Sequence, residues 1–74
     1  MFFMKTPQFI ELPTIYWNGY AHREQEQLIN MNEVLQIVPN GRHEQTKIVF
    51  KNGKEEFVNR YYADVMKLIE LQCD

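Results

Sequence analysis

The chain has 74 residues, 45% of them hydrophobic and 24% charged, and a net charge of −2. This is the composition of one ordinary globular domain spanning residues 1–74, and it excludes a disordered tail. The acidic balance, with a pI near 5.6, excludes a bulk electrostatic grip on nucleic acid or on an anionic membrane, leaving room only for a local basic face.

A domain this small buries roughly 60 to 65% of the surface its unfolded chain exposes, and its core leaves about 4 to 11 kcal/mol of net stability. Help from a staple or a partner is therefore expected. Cys73 is the single cysteine, so no internal disulfide supplies that help, and a reducing, cytoplasmic setting is expected. The opening "MFFM" is apolar, but Lys5, Thr6 and Pro7 interrupt it long before the length of a signal-peptide core or a membrane span. It is expected to dock on the sheet as a terminal strand, with no membrane as partner.

All three glycines follow an asparagine, at Asn18-Gly19, Asn40-Gly41 and Asn52-Gly53. Asn-Gly supplies the positive φ values of two-residue hairpin turns, so each pair predicts a reversal between antiparallel strands. "FIELPTIYWNGYAH" predicts a strand, the first turn and a returning strand, with Trp17 opposite Tyr20. Pro13 and Pro39 mark an edge, a bulge or a strand end, because proline has no N–H to donate. The polar run "HREQEQ" fits an exposed edge strand, a loop or one helical turn. "LINMNEVLQIVP" predicts two short strands broken near Asn32-Glu33, with Ile29, Met31, Leu35 and Ile37 inward.

"TKIVFKNGKEEFV" predicts a hairpin in which a two-residue loop would set Ile48 against Phe57 and place Ile48, Phe50 and Phe57 on the core face. A three-residue loop would set Ile48 against Glu56 and Lys47 against Phe57, so cross-strand packing favours the shorter loop. The period then changes. In "NRYYADVMKLIELQC", Asn59 is a candidate N-cap, and Tyr62, Val65, Met66, Ile69 and Cys73 recur at helical spacing. Tyr61, Leu68 and Leu71 widen that face to an apolar arc of roughly 220°, where covering a sheet needs little more than ~100°. These elements amount to an α+β domain: an antiparallel sheet of four or five strands, with one C-terminal helix on one face.

Nucleophilic catalysis needs a nucleophile, a base in reach and a group orienting the base. Cys73 with His22 or His43 is the available set, and a cysteine at the end of the last helix is poorly held. No short-spaced ligand pairs point to a metal, and Glu24 with Glu26, or Glu55 with Glu56, lie on polar segments rather than in an apolar cleft. No glycine-rich phosphate loop exists. No catalytic residue, metal or cofactor is expected.

Two features point to binding. Tyr16, Trp17 and Tyr20 surround the first turn, with Phe2, Phe3 and Phe9 in the same end of the chain, and Trp and Tyr dominate interface energetics. Against this stands ordinary cross-strand packing. Lys47, Lys51 and Lys54, with Arg42 nearby, form an anion-binding candidate for a nucleotide or nucleic-acid backbone. Against it stands the common use of lysine to block edge pairing, and Glu55 and Glu56 dilute the charge. Tyr61, Leu68 and Leu71 are candidates for self-association into a homo-oligomer.

The run "LINMNEVLQIVPNGRHEQTKIVFKNGKEEFVNRYYADVMKLIE" resembles the small FlbD-like (flagellar and swarming motility) proteins and similar short phage or mobile-element proteins. The resemblance rests on Ile29, Asn30, Asn32, Val34, Ile37, Pro39, Thr46, Ile48, Phe50, Asn52, Gly53, Phe57, Val58, Val65 and Ile69, and covers about the last 45 residues. Trp17, Asn18 and Gly19 align with the family's early Leu-Asn-Gly. What the resemblance implies is the fold and a non-enzymatic binding or regulatory role. The expected function is thus protein–protein interaction, with nucleotide or nucleic-acid binding as the alternative.

Overall fold

The computed structural model describes residues 9–41 and 44–72. The expectations placed on Phe2, Phe3, Arg42, His43, Cys73 and the opening "MFFM" lie outside the described residues. The elements in chain order are β1 (Phe9–Trp17), β2 (His22–Asn30), a 3-10 turn (Met31–Glu33), β3 (Val34–Asn40), β4 (Gln45–Phe50), β5 (Glu55–Val58) and α1 (Tyr62–Gln72). The strands form one antiparallel sheet in the order β2-β1-β5-β4-β3, and α1 packs on one face of it. The domain is α+β, as the sequence predicts.

Strand alternation separates the two faces. Ile10, Leu12 and Thr14 of β1, Ile29 of β2, Thr46 and Ile48 of β4 and Val58 of β5 point toward α1 and are buried around Val65. Met31, Val34, Ile37, Phe50, Met66, Leu68 and Ile69 close the margin of this core. Burying Val65 fully contributes roughly 1.5 to 3 kcal/mol, which anchors the helix through a single central residue. Thr14 and Thr46 are buried polar groups, and both hydroxyls are satisfied. Thr14 donates to Gln27 Oε1 at 2.7 Å and Thr46 to the Arg60 carbonyl at 3.0 Å.

The reversals fall where the Asn-Gly pairs predict them, but none is the expected two-residue Asn-Gly turn. At the first, the pair Trp17↔His22 closes the ladder, and the Asn18 N–H donates to the Ala21 carbonyl at 3.2 Å. Asn18 Oδ1 accepts from the N–H groups of Tyr20 (2.9 Å) and Ala21 (3.0 Å), so Asn18 organises the turn from its first position while Gly19 takes the positive φ of 103°. Trp17 therefore faces His22, not Tyr20. At the second, Asn40 still pairs with Gln45, and among the described residues of the turn Glu44 is left-handed, at φ 55°.

At the third, the register is Thr46↔Val58, Lys47↔Phe57, Ile48↔Glu56 and Val49↔Glu55. The loop is three residues long: Gly53 N–H donates to the Phe50 carbonyl at 2.9 Å, Phe50 N–H to the Lys54 carbonyl at 2.8 Å, and Gly53 has φ 91°. This is a type I turn closed by a left-handed glycine, the second common way for Asn-Gly to reverse a hairpin. Asn52 Oδ1 stabilises it by accepting from the Lys54 N–H at 2.9 Å. The consequence overturns the Ile48–Phe57 pairing. Val58 is the β5 residue in the core, and Phe57 lies on the opposite face.

Other corrections are local. A bulge between Val34 and Gln36 turns Leu35 outward, to 62% exposure. Asn59 is not the helix cap, because the first helical bond runs from the Val65 N–H to the Tyr61 carbonyl at 3.0 Å. Tyr62, expected on the core face, sits at the helix start and is exposed. "HREQEQ" is an edge strand, one of the three forms its composition allows. Pro39 lies on the edge strand β3, as expected, whereas Pro13 is buried inside β1.

The register explains how Pro13 is accommodated. The Asn18–Ala21 bond makes the H-bonded β1–β2 pairs those of Thr14↔Gln25 and Leu12↔Gln27, so Pro13, opposite Glu26, directs its nitrogen toward β5. There the ladder has ended, since β1 meets β5 only at Thr14↔Val58. Just beyond, the Gln72 side chain takes the place of a strand. Its Oε1 accepts from the Glu11 N–H at 2.8 Å and its Nε2 donates to the Glu11 carbonyl at 2.9 Å, tying the end of α1 to β1.

Candidate partner-binding face

The face of the sheet turned away from α1 carries Phe9, Glu11, Pro13, Ile15 and Trp17 from β1 and His22, Glu24, Glu26, Leu28 and Asn30 from β2. No helix covers this face among the described residues. Phe9, Trp17 (59% exposed) and Leu28 (64%) leave large apolar side chains in solvent there. Apolar surface concentrated on one sheet face is the usual mark of an interaction site.

At the end of this face nearest the first turn lies a cleft of about 860 Å³ lined by Ile15, Tyr16, Trp17, His22, Arg23, Glu24, Asn40, Gln45, Phe57, Asn59 and Arg60. Continuing the Thr14↔Val58 register by one residue sets Ile15 beside Phe57 as its apolar floor. Trp17 and His22 form one wall, packed edge to face with ring centroids 5.2 Å apart. That contact fixes the indole across the strand pair and gives it a defined orientation at low entropic cost. The rim is polar. Arg60 Nη1 donates to Glu24 Oε2 at 2.8 Å and to the Asn59 carbonyl at 2.8 Å, clamping the β5–α1 junction onto β2.

Tyr16 and Trp17, expected to meet a partner, both line this cleft, and Tyr20 projects from the adjacent turn at 90% exposure. Phe57, His22 and Arg60 belong to the same cleft, although the sequence offers Phe57 for the core, His22 only as a candidate base beside Cys73, and Arg60 for nothing. For Phe57 the signal existed in the three-residue loop, which alone sends it to this face. Arg60 carries no local signal, because its place depends on a contact 36 residues away in sequence.

The lysine set is not a single face. Lys47 lies on the face away from α1 and is paired with Glu55 at 3.7 Å. Lys54 stands opposite Phe50, on the helix side, and Lys51 is in the turn, its N–H donating to the Glu33 carbonyl at 2.8 Å. The register thus separates what a two-residue loop would have aligned. Arg42 lies outside the described residues.

Of the self-association candidates, Leu68 packs against the core, while Leu71 is 81% exposed and Tyr61 is also exposed. Tyr61 donates its hydroxyl to Glu44 Oε1 at 2.8 Å. That bond, then the negative charge of Glu44, raises the Tyr61 pKa above its ordinary value. The same bond holds the left-handed Glu44 against the helix start, beside a shallow hollow that includes Pro39, Gly41 and Asp64.

No group of three or more His, Cys, Asp or Glu side chains is placed to hold a metal ion among the described residues. Among the same residues no helix is long and apolar enough to cross a membrane. Comparison with family models, with curated proteins and with solved structures returns no match.

Proposed function

We propose that this chain is a non-enzymatic binding module that acts by seating a protein partner on the sheet face opposite its helix, centred on Trp17. The observation that carries the reading is the Trp17 cleft. An indole held by His22 over an apolar floor of Ile15 and Phe57, with a ring of polar groups, has the anatomy of an interface anchor, in which an apolar centre is surrounded by a polar rim.

The nucleotide or nucleic-acid reading draws less support. The lysines that would carry it fall on different faces, and one is already paired with a carboxylate. Self-association through the helix flank rests on Leu71 and Tyr61, with Leu68 committed to the core. A regulatory role in a phage, mobile element or motility system is what the FlbD-like resemblance adds to this proposal.

The test is quantitative capture from an extract of the native host, with wild-type chain, Trp17→Ala, and Lys47→Glu/Lys51→Glu/Lys54→Glu as baits matched for thermal stability. A protein retained by wild type and the lysine variant but depleted tenfold or more by Trp17→Ala supports the reading. Equal capture by Trp17→Ala rejects it, and loss confined to the lysine variant transfers support to the anion-binding alternative.

A further inference from the structure

We infer that the partner adds to the sheet as an extended strand along β2, and that it presents a basic residue to Glu26 and an apolar residue to Leu28. This rests on the reading of the chain as a protein-binding module and specifies how the partner is held.

The two edges of the sheet differ. β3 is blunted by Pro39 and by the bulge between Val34 and Gln36, both of which prevent a further strand from pairing. β2 has neither. It pairs with β1 through nine consecutive residues without a register shift, and it has no neighbour on its outer side among the described residues. The β1–β2 bonds are made at Gln25 and Gln27, so the N–H and C=O groups of Glu24, Glu26 and Leu28 point outward. Pro13 supports this phase independently, since it sits opposite Glu26, where no bond to β2 is required. A regular row of backbone donors and acceptors along an unblunted edge is the site used in strand addition.

The side chains select the occupant. On the open face the outer strand displays Glu26 and Leu28, with Leu28 64% exposed. A second copy is a poor match. The two-fold antiparallel register of full overlap sets Glu26 against its own copy, and the one centred on Gln25 sets Glu24 against Glu26 twice, and like charges directly opposite are destabilising. Glu24 is already engaged by Arg60 at 2.8 Å, which leaves Glu26 to choose the incoming charge. A foreign strand with an apolar side chain two residues from a lysine or arginine meets both. It also runs beside His22, which packs against Trp17 and so joins the edge to the cleft.

The probe is the blocked peptide Thr-Thr-Val-Thr-Lys-Thr-Thr, titrated into the isotopically labelled full chain and followed by backbone amide shifts, with Glu replacing Lys in a second peptide. The expected shifts concentrate on Glu24, Glu26 and Leu28, and the Glu peptide binds at least fivefold more weakly. Glu26→Gln lowers affinity for the Lys peptide about two- to fivefold, the range of an exposed ion pair. Glu26→Pro removes an outward N–H without touching the β1–β2 bonds and lowers affinity tenfold or more, its fold verified by retained protection of the Gln25 and Gln27 amides. Shifts centred on β3 or α1, or unchanged affinity in folded Glu26→Pro, overturn the inference. So does concentration-dependent protection of β2 without peptide, which would make a second copy the occupant. Loss of partner capture in Trp17→Ala alongside a silent β2 edge would end strand addition while leaving the protein-binding reading in place.

Discussion

Replacing Val58 by alanine tests the hairpin register on which the placement of the cleft depends. Val58 is fully buried against α1, whereas in a two-residue loop it would have faced solvent. The change removes two buried carbons, worth about 1.6 kcal/mol at ~0.8 kcal/mol each, and incomplete collapse of the vacated space raises the loss to roughly 2 to 2.5 kcal/mol. For a chain of this length the melting entropy is about 0.16 kcal/mol/K, so the melting temperature should fall by roughly 12 to 16 °C. Thermal and urea unfolding followed by far-ultraviolet circular dichroism measure the loss, with Phe57→Ala as the comparison. Phe57 is only half-buried on the open face, so its truncation should fall short of the 3 to 5 kcal/mol typical of a core phenylalanine. A Val58→Ala loss below about 0.5 kcal/mol together with a Phe57→Ala loss in that core range would refute the register.

Gln72→Ala removes both side-chain bonds to Glu11. The site is exposed, so water replaces part of the loss, and a destabilisation of about 1 kcal/mol is expected; faster exchange of the Glu11 amide identifies the cause, and unchanged exchange would contradict it. Glu44→Gln should bring the Tyr61 pKa down toward its ordinary 10.0, read from the Tyr61 ring resonances. The folded value lies above the unfolded one, so the Tyr61–Glu44 contribution is complete below about pH 10 and is lost as the pH rises through the folded value. Leu71→Asp should reduce any micromolar self-association seen by sedimentation without lowering stability by more than about 0.5 kcal/mol, since Leu71 makes little use of the core. A strictly monomeric wild type would remove that arm of the proposal.

The α+β architecture, the break at Asn32-Glu33, the edge at Pro39 and the helix over the last segment are all carried by local periodicity and turn chemistry, and so are legible from the residues alone. What local pattern does not determine is phase. Asn52-Gly53 suits both a two-residue and a three-residue loop, and one residue of slip exchanges Phe57 for Val58 on the core face. Weighing Ile48 against Phe57 as a pair favours the wrong loop, because the tertiary demand comes from Val65 of α1, which packs on a surface of Ile48 and Val58. The same limit applies to Pro13. Its place inside the sheet becomes intelligible only when β5 is seen to leave at Asn59 and Gln72 to substitute for it. Trp17 was legible as a candidate anchor, but its contact with His22 required the shift of the first turn to Gly19-Tyr20. The over-wide helix face was partly absorbed, since Leu68 joins the core margin and Leu71 does not.

Trp17 is the single tryptophan of the chain, so its fluorescence reports on the cleft without interference. Acrylamide quenching of Trp17, measured with and without a saturating amount of the captured partner, tests whether binding centres on this indole. The account predicts efficient quenching in the free chain and at least a fivefold lower quenching constant in the complex. Equal quenching in both would place the partner elsewhere and contradict it.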